Sequence, residues 1–334
     1  MTPSINSGLL RTTDWVRVGQ FASVEVSLPV VTIGSGQPCL TLLSCLHGNE
    51  TASLFVMKEL LRLIEGDSEI RMQGSIKLVM CANMPAVLTS NRLSPLDDLD
   101  MNRIGLGDAN GTLTERLAAA IFNEIRASDM VIDLHEFSMA SPVVAIYIPS
   151  NSDRIDERVT HGITAFAPDA VWAIDPHIKK EVEYGESFIA ALCSAGIPSF
   201  ALETSQLSFL AREDVLDVAN RLLRVAALLE IIPGGSGKQA VAPVYRRTVI
   251  RSESSGIWEP RAGLLEGVGV NSVIGQITSL DLSKSTQVVA SIPGVTLQVA
   301  NRQLVHSGCQ LFAIGAADKS TYNFFLQTLT AKFN

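Results

Sequence analysis

The chain has 334 residues, 47% of them hydrophobic and 18% charged, with a formal net charge of −8 and a pI near 5.2. That length buries a substantial core, in one large domain or two smaller ones. Basic residues are scattered singly, without the cationic footprint that a phosphate backbone demands, which excludes nucleic acid as a partner.

The opening stretch MTPSINSGLLRTTDW has no apolar segment behind a basic start, so it does not read as a signal peptide. No apolar run reaches the roughly 20 residues of a membrane span, so no membrane partner is expected. From Val31 to Ile232, short apolar runs alternate with longer helical stretches. CLTLLSCL (39–46), SIKLVMCAN (75–83), MVIDLHEF (130–137), VVAIYIP (143–149) and SFALET (199–204) read as strands, nearly continuous in apolar residues because both faces are covered. TASLFVMKELLRLIEG (51–66), TLTERLAAAIFNEIRAS (112–128) and EDVLDVANRLLRVAALLEII (213–232) carry apolar residues at helical spacing, and Thr112 with Glu115 forms a capping-box pattern. This alternation predicts an α/β domain with a mostly parallel sheet flanked by helices. PGGSGKQAVAP (233–243) reads as a linker. Beyond it, short β-branched runs separated by Gly and polar turns predict a small all-β domain, so the expected division is 1–235 and 236–334. Five cysteines (Cys39, Cys45, Cys81, Cys193 and Cys309) lack CxxC spacing and lie mostly in apolar runs, which suits buried free thiols in a cytoplasmic, reducing compartment.

The sharpest local feature is Cys45-Leu46-His47-Gly48-Asn49-Glu50, at the end of one expected strand and the start of a helix. Ligands in open α/β sheets gather outside the carboxyl ends of strands. His47 and Glu50 can converge on one ion across that turn, and His135 at the end of MVIDLH supplies a third ligand, leaving the open position a catalytic zinc site keeps for water. Either piece alone is weak, since an HxxE or a lone strand-end histidine is more often plain packing or a plain hydrogen bond. Asp133, two residues before His135 and on the same side of a strand, either orients that imidazole or is simply solvated. Two nitrogens and a carboxylate suit zinc, with cobalt or manganese as substitutes. His161 in a helix-like stretch, His177 in a polar loop and His306 in the β-rich tail read as structural or exposed.

The ordered set HGNE, NMPAVLTSNR, DDLDMNR, DLHEF and ALETSQ resembles the aspartoacylase and succinylglutamate desuccinylase family, a branch of the zinc carboxypeptidase-like fold, over residues 40–215. The resemblance implies one zinc per chain on His47, Glu50 and His135. It also implies that Arg92 polarises the scissile carbonyl, that Asn102 and Arg103 grip the substrate carboxylate, and that Glu203 activates the hydrolytic water. Glu203 ends the apolar run SFAL, where an ionised carboxylate is costly without a functional partner, although a helix-capping role is the plain alternative. Arg92 and Arg103, taken alone, read as ordinary surface residues; beside a metal site the functional reading is preferred.

Three departures stand out. Ile104-Gly105-Leu106-Gly107 follows the Asn-Arg pair where the family carries an aromatic residue, and Thr204-Ser205 replaces a glycine after Glu203. Residues 187–202 hold no arginine of the kind that family members with acidic acyl groups use, which favours a small acetyl-type group over succinyl. The tail resembles the barrel-sandwich, lipoyl-like domain of prokaryotic members, and SGIWEP resembles deacetylases of N-acetylated diamino acids. It lacks the Met-Lys turn of a carrier, leaving a structural lid or an oligomerisation surface for a homo-oligomer. The leading expectation is hydrolytic deacylation of a small N-acyl amino acid. The alternatives are a carboxypeptidase-like exopeptidase with a more open mouth, and an inactive binding module of the same fold.

Overall fold

A computed structural model describes residues 9–21, 23–205, 212–234 and 240–329. The chain opens with an antiparallel pair, β1 (Arg11–Phe21) and β2 (Val24–Gly34), outside the elements anticipated above. β1 is an edge strand whose Val16 and Val18 are only partly buried, so its apolar pattern is faint. The α/β core follows: β3 (Cys39–Ser44), α1 (Ser53–Gly66), β4 (Ser75–Val79), α2 (Met84–Leu88), α3 (Leu113–Ile125), β5 (Met130–Phe137), β6 (Val144–Tyr147), α4 (Asp153–Phe166), β7 (Ala170–Ala173), α5 (Phe188–Ser194), β8 (Ser199–Ser205) and α6 (Arg212–Leu228). The capping box at α3 is formed, with Thr112 N–H donating to Glu115 Oε2 at 2.7 Å.

β3, β4, β5 and β8 run parallel as neighbours in the order β4-β3-β5-β8, and β6 returns antiparallel to β8. Strand alternation splits the core in two. Leu40, Leu42, Ile132 and Leu134 face α1, α4 and α6, whereas Leu43 and Val131 face α3 and α5. Asp133 and His135 follow Val131 on that second face. After β3 the chain steps to β4 on one side and later to β5 on the other. The carboxyl ends of β3 and β5 therefore flank a topological switch point, the crevice where open α/β sheets bind ligands.

The expected linker includes residues 235–239, which lie outside the described residues. Past it, β9 (Val244–Arg251) adds to the same sheet, parallel to β7. β10 (Gly256–Pro260), β11 (Gly267–Val268), β12 (Val273–Thr278), β13 (Ser285–Val289), β14 (Gly294–Val299), β15 (Gln303–Val305) and β16 (Gln310–Ala317) complete the all-β unit. β9, β16, β14 and β11 extend the large sheet, and a second sheet of order β13-β12-β10-β15 closes over it. Trp258 is fully buried in the β unit, its Nε1–H donating to Ala300 O at 3.1 Å and its ring edge-on to Phe312. An unanticipated helix, α7 (Lys319–Thr328), then returns to the α/β core, capped by Asp318. Its Phe325 is fully buried, edge-on to Tyr147 at 5.3 Å. Within the described residues no helix is long and apolar enough to cross a membrane.

Because Phe325 fills the α/β core from the far end of the chain, Phe325→Ala is expected to destabilise that core by about 3–5 kcal/mol. Denaturant unfolding followed at Trp172, in β7, measures it; an unchanged midpoint would mean that α7 does not belong to the core.

Candidate metal centre and its cavity

The chain leaves β3 through Cys45, which adopts a left-handed conformation (φ 58°), and the turn carries His47 and Glu50 over the strand end. Gly48 is required there, because a Cβ would lie on the Ala86–Val87 backbone of α2. Buried Asn83 fastens the same junction: its Nδ2 donates to Leu46 O and its Oδ1 accepts from Ala86 N–H, capping α2. His135 comes from the last turns of β5, paired in register with Glu203 on β8, while Asp133 pairs with Ala201. These four side chains therefore share one face.

His47, Glu50 and His135 are buried, and their ligand atoms lie within 4.8 Å of one another. The two imidazole centroids are 4.9 Å apart. His47 Nδ1 is 2.8 Å from Glu50 Oε1, and His135 Nδ1 is 2.8 Å from Glu50 Oε2. Behind the rings, His47 Nε2 lies 3.0 Å from Asp100 Oδ1 and His135 Nε2 lies 2.8 Å from Asp133 Oδ2. All four ring nitrogens thus face carboxylates, a demand that neutral imidazoles, each with one N–H, cannot meet alone. A metal ion would resolve it: His47, Glu50 and His135 would hold the ion, and each imidazole would keep an N–H for Asp100 or Asp133 behind it. That is the carboxylate–histidine–metal arrangement, so these residues fit a metal ion.

Without an ion, the histidines and carboxylates hold one another in charged form. Burial opposes ionisation of Glu50, and the two histidines outweigh it, holding the carboxyl well below its usual range. Burial likewise lifts Asp100, and His47, Arg92 and the Asn102 N–H together pull it far below normal. For His135, burial lowers the pKa, and the carboxylates of Asp133 and Glu50 carry it well above the ordinary value. Glu203 behaves oppositely: burial raises it to about 8, with Glu50 adding to the rise and His135, Arg247 and Arg92 opposing it.

A cavity of about 330 Å³ opens over this cluster, within the range of small-molecule sites. It gathers His47, Glu50, Arg92, Asn102, Arg103, His135 and Glu203, while Asp133 lies beneath, fully buried. Arg92 is the most exposed of these, its side chain 43% accessible, and its Nε and Nη2 both lie 3.0 Å from Asp100 Oδ2. Asn102 is held by Phe188 N–H, which donates to its Oδ1 at 2.9 Å. Arg103 lays its guanidinium over the ring of Tyr184, 5.0 Å from the centroid, and has no carboxylate partner among the described residues. Tyr184 comes from the short Val182–Glu186 helix and supplies an aromatic face that residues 104–107 do not. His161 lies buried in α4 with Nε2 3.0 Å from Thr328 O, whereas His177 and His306 are exposed.

Four further residues were missed by the sequence reading. Asp100 stood inside the DDLDMNR motif, and its place two residues before Asn102 was the available signal. Trp172, Tyr184 and Arg247 carried no local signal, since they reach the cavity from β7, the Val182–Glu186 turn and β9.

The mixed sheet with its histidine–carboxylate centre at the switch point defines an α/β protein with a candidate metal site at the carboxyl ends of its parallel strands. Residues 37–227, more than half the chain, match the succinylglutamate desuccinylase/aspartoacylase catalytic domain. The chain belongs to that family. It is 28% identical over 152 residues to the N-alpha-acetyl-L-2,4-diaminobutyric acid deacetylase of Halomonas elongata, a match spanning 44% of this chain and 43% of that protein. Among solved structures, the succinylglutamate desuccinylase/aspartoacylase of Rhodobacter sphaeroides superposes with a TM-score of 0.76 at 20% identity, covering 92% of this chain and 96% of that one. The product-bound ectoine utilization protein EutE (DoeB) of Ruegeria pomeroyi gives 0.77 at 18% identity, covering 92% and 95%. At these identities the structural likeness is one of fold.

Removing the carboxylate behind His135, as Asp133→Ala, is expected to weaken metal binding about 10- to 100-fold, measured by competition with a chelator. A second outcome follows from Glu203. Folding favours its neutral form, so the stability it contributes is complete below pH 4.5 and drains away as pH rises through about 8. Unfolding of the metal-free protein should therefore show wild type losing ground to Glu203→Gln between pH 5 and 9; parallel profiles would place the carboxyl in open solvent.

Proposed function

We propose that the protein hydrolyses the amide bond of a small N-acyl amino acid, with one zinc ion on His47, Glu50 and His135. One observation carries this reading. A carboxyl raised to about 8, Glu203, shares a cavity with a triad built to hold a cation and with an arginine that has no carboxylate partner. The names of the family and of the Halomonas relative both denote removal of an acyl group.

Bound zinc supplies a Lewis acid that lowers the pKa of water and polarises a carbonyl. The chain's residues do the rest. Arg103, stacked on Tyr184 and adjoining Asn102, presents a planar fork to the substrate's α-carboxylate. Glu203 is the base that accepts the proton of the attacking water and returns it to the departing amine; a pKa near neutrality serves both halves of that cycle. Arg92, fixed by Asp100, offers positive charge where the carbonyl oxygen gains negative charge. Ile146, Ile148, Ile189 and Ala201 give the cavity an apolar wall that suits a short acetyl-type group.

Two features favour an acylase over an exopeptidase. Arg247, Gln298 and Gln310 of the C-terminal unit wall the cavity, and Ala140 pairs with Val299 to hold that wall in place. The cavity of about 330 Å³ fits an amino-acid-sized ligand. The free thiols, four of them buried, suit a cytoplasmic setting.

The test is release of free amine from N-acetyl, N-formyl and N-succinyl amino acids by metal-quantified protein. Glu203→Ala should lower kcat by roughly 10²- to 10⁴-fold while zinc stays bound. Full activity in that variant, or no zinc retained after reconstitution of wild type, would overturn the mechanism.

A further inference from the structure

β9 carries two adjacent arginines whose side chains alternate to opposite sides of the strand. Arg246 points away from the cavity and is spoken for, its Nε 2.7 Å from Asp318 Oδ2. Arg247 points into the cavity. Its guanidinium carbon lies 4.1 Å from the centroid of the Trp172 ring, and Trp172 in turn meets Tyr184 edge-on at 5.3 Å. Among the described residues no carboxylate oxygen comes within 4.0 Å of Arg247 and no acceptor takes a hydrogen bond from it.

The acidic groups that face Arg247 at longer range have other duties. Glu181 accepts the Asp175 N–H at 2.7 Å, and Glu203 is the proposed base. A half-buried guanidinium without a counter-ion carries a desolvation cost, and stacking on an indole leaves its N–H edge free for a planar anion. Arg103 and Arg247 thus flank the Tyr184–Trp172 pair as two cationic forks on one cavity. Arg103 takes one carboxylate. Residues 187–202 hold no arginine, and Arg247 enters the cavity from the C-terminal unit.

We propose that Arg247 is a specificity-determining residue: it recognises a second carboxylate on the substrate, remote from the one held by Arg103, and it selects against a cation at that position. This rests on the deacylase reading for the reaction, though not for the binding. The second carboxylate could stand on the amino-acid side chain or on the acyl chain, and both present the same planar anion.

The experiment compares metal-loaded wild type, Arg247→Gln and Arg247→Lys. Turnover is measured on N-acetylglutamate, N-succinylglycine, N-acetylglutamine and N-acetyl-2,4-diaminobutyrate, and glutarate and butyrate binding by calorimetry. Arg247→Gln should raise KM for the dianionic substrate, and Kd for glutarate, roughly ten- to a hundredfold, with far smaller changes for N-acetylglutamine and butyrate. Discrimination against the cationic substrate should narrow, and Arg247→Lys should recover part of the loss. Whichever of N-acetylglutamate and N-succinylglycine responds tells which end carries the charge. Equal losses on all substrates with a displaced pH profile would overturn the proposal, making Arg247 a residue that acts through Glu203. The same charge preference in Arg247→Gln as in wild type would overturn it too. Glutarate binding that depends on Arg247 in a protein that releases no amine would uphold it and sink the deacylase reading instead.

Discussion

Two imidazoles and a carboxylate cannot be buried at a strand end for nothing, and the rest of the catalytic half is arranged around meeting that cost. Glu50 faces the Nδ1 atoms of His47 and His135 at once, and each ring is braced from behind by its own acid. Three carboxylates against two histidines leave an excess of negative charge, which is the condition for holding a divalent cation. The supports lie in different places. Asp133 is built into β5, whereas Asp100 hangs on a loop and is itself fixed by Arg92 and the Asn102 N–H. That loop is anchored in turn by Asp97, whose carboxylate accepts from both Thr114 N–H and its hydroxyl at the start of α3.

The glycines after Arg103 follow the same logic. Gly105 and Gly107 both have positive φ, and a Cβ on Gly107 would meet the backbone of α3. The chain therefore turns away sharply after the Asn102–Arg103 pair, Gly105 N–H donating to Glu186 O. That bond docks the turn beside Val182–Glu186, from which Tyr184 covers Arg103. The aromatic neighbour missing from the sequence next to Arg103 is present in space, from a segment about eighty residues away.

The C-terminal unit is continuous with the catalytic sheet through β7 and β9 and contributes side chains to the cavity. The candidate metal ligands and Glu203 thus lie at the ends of β3, β5 and β8, and the wall opposite them is carried by β9, β14 and β16.

Much of this was legible in the chain. Strands β3, β5 and β8 were readable because parallel strands covered on both faces are uniformly apolar, so a charged or imidazole side chain at their ends stands out. His47, Glu50, His135 and Asp133 stood out that way, and the cap of α3 by its local box. Family motifs pointed to Arg92, Asn102, Arg103 and Glu203. The N-terminal hairpin and α7 were not legible, because a half-exposed edge strand and a short returning helix carry little periodic signal of their own. Nor could the sequence tell that Asp100 backs His47, that Tyr184 covers Arg103, or that Arg247 rather than Arg246 enters the cavity. Local pattern reports what one segment prefers. Which side chains converge depends on strand order and on the face each strand turns inward, and those are decided only when the whole sheet is assembled.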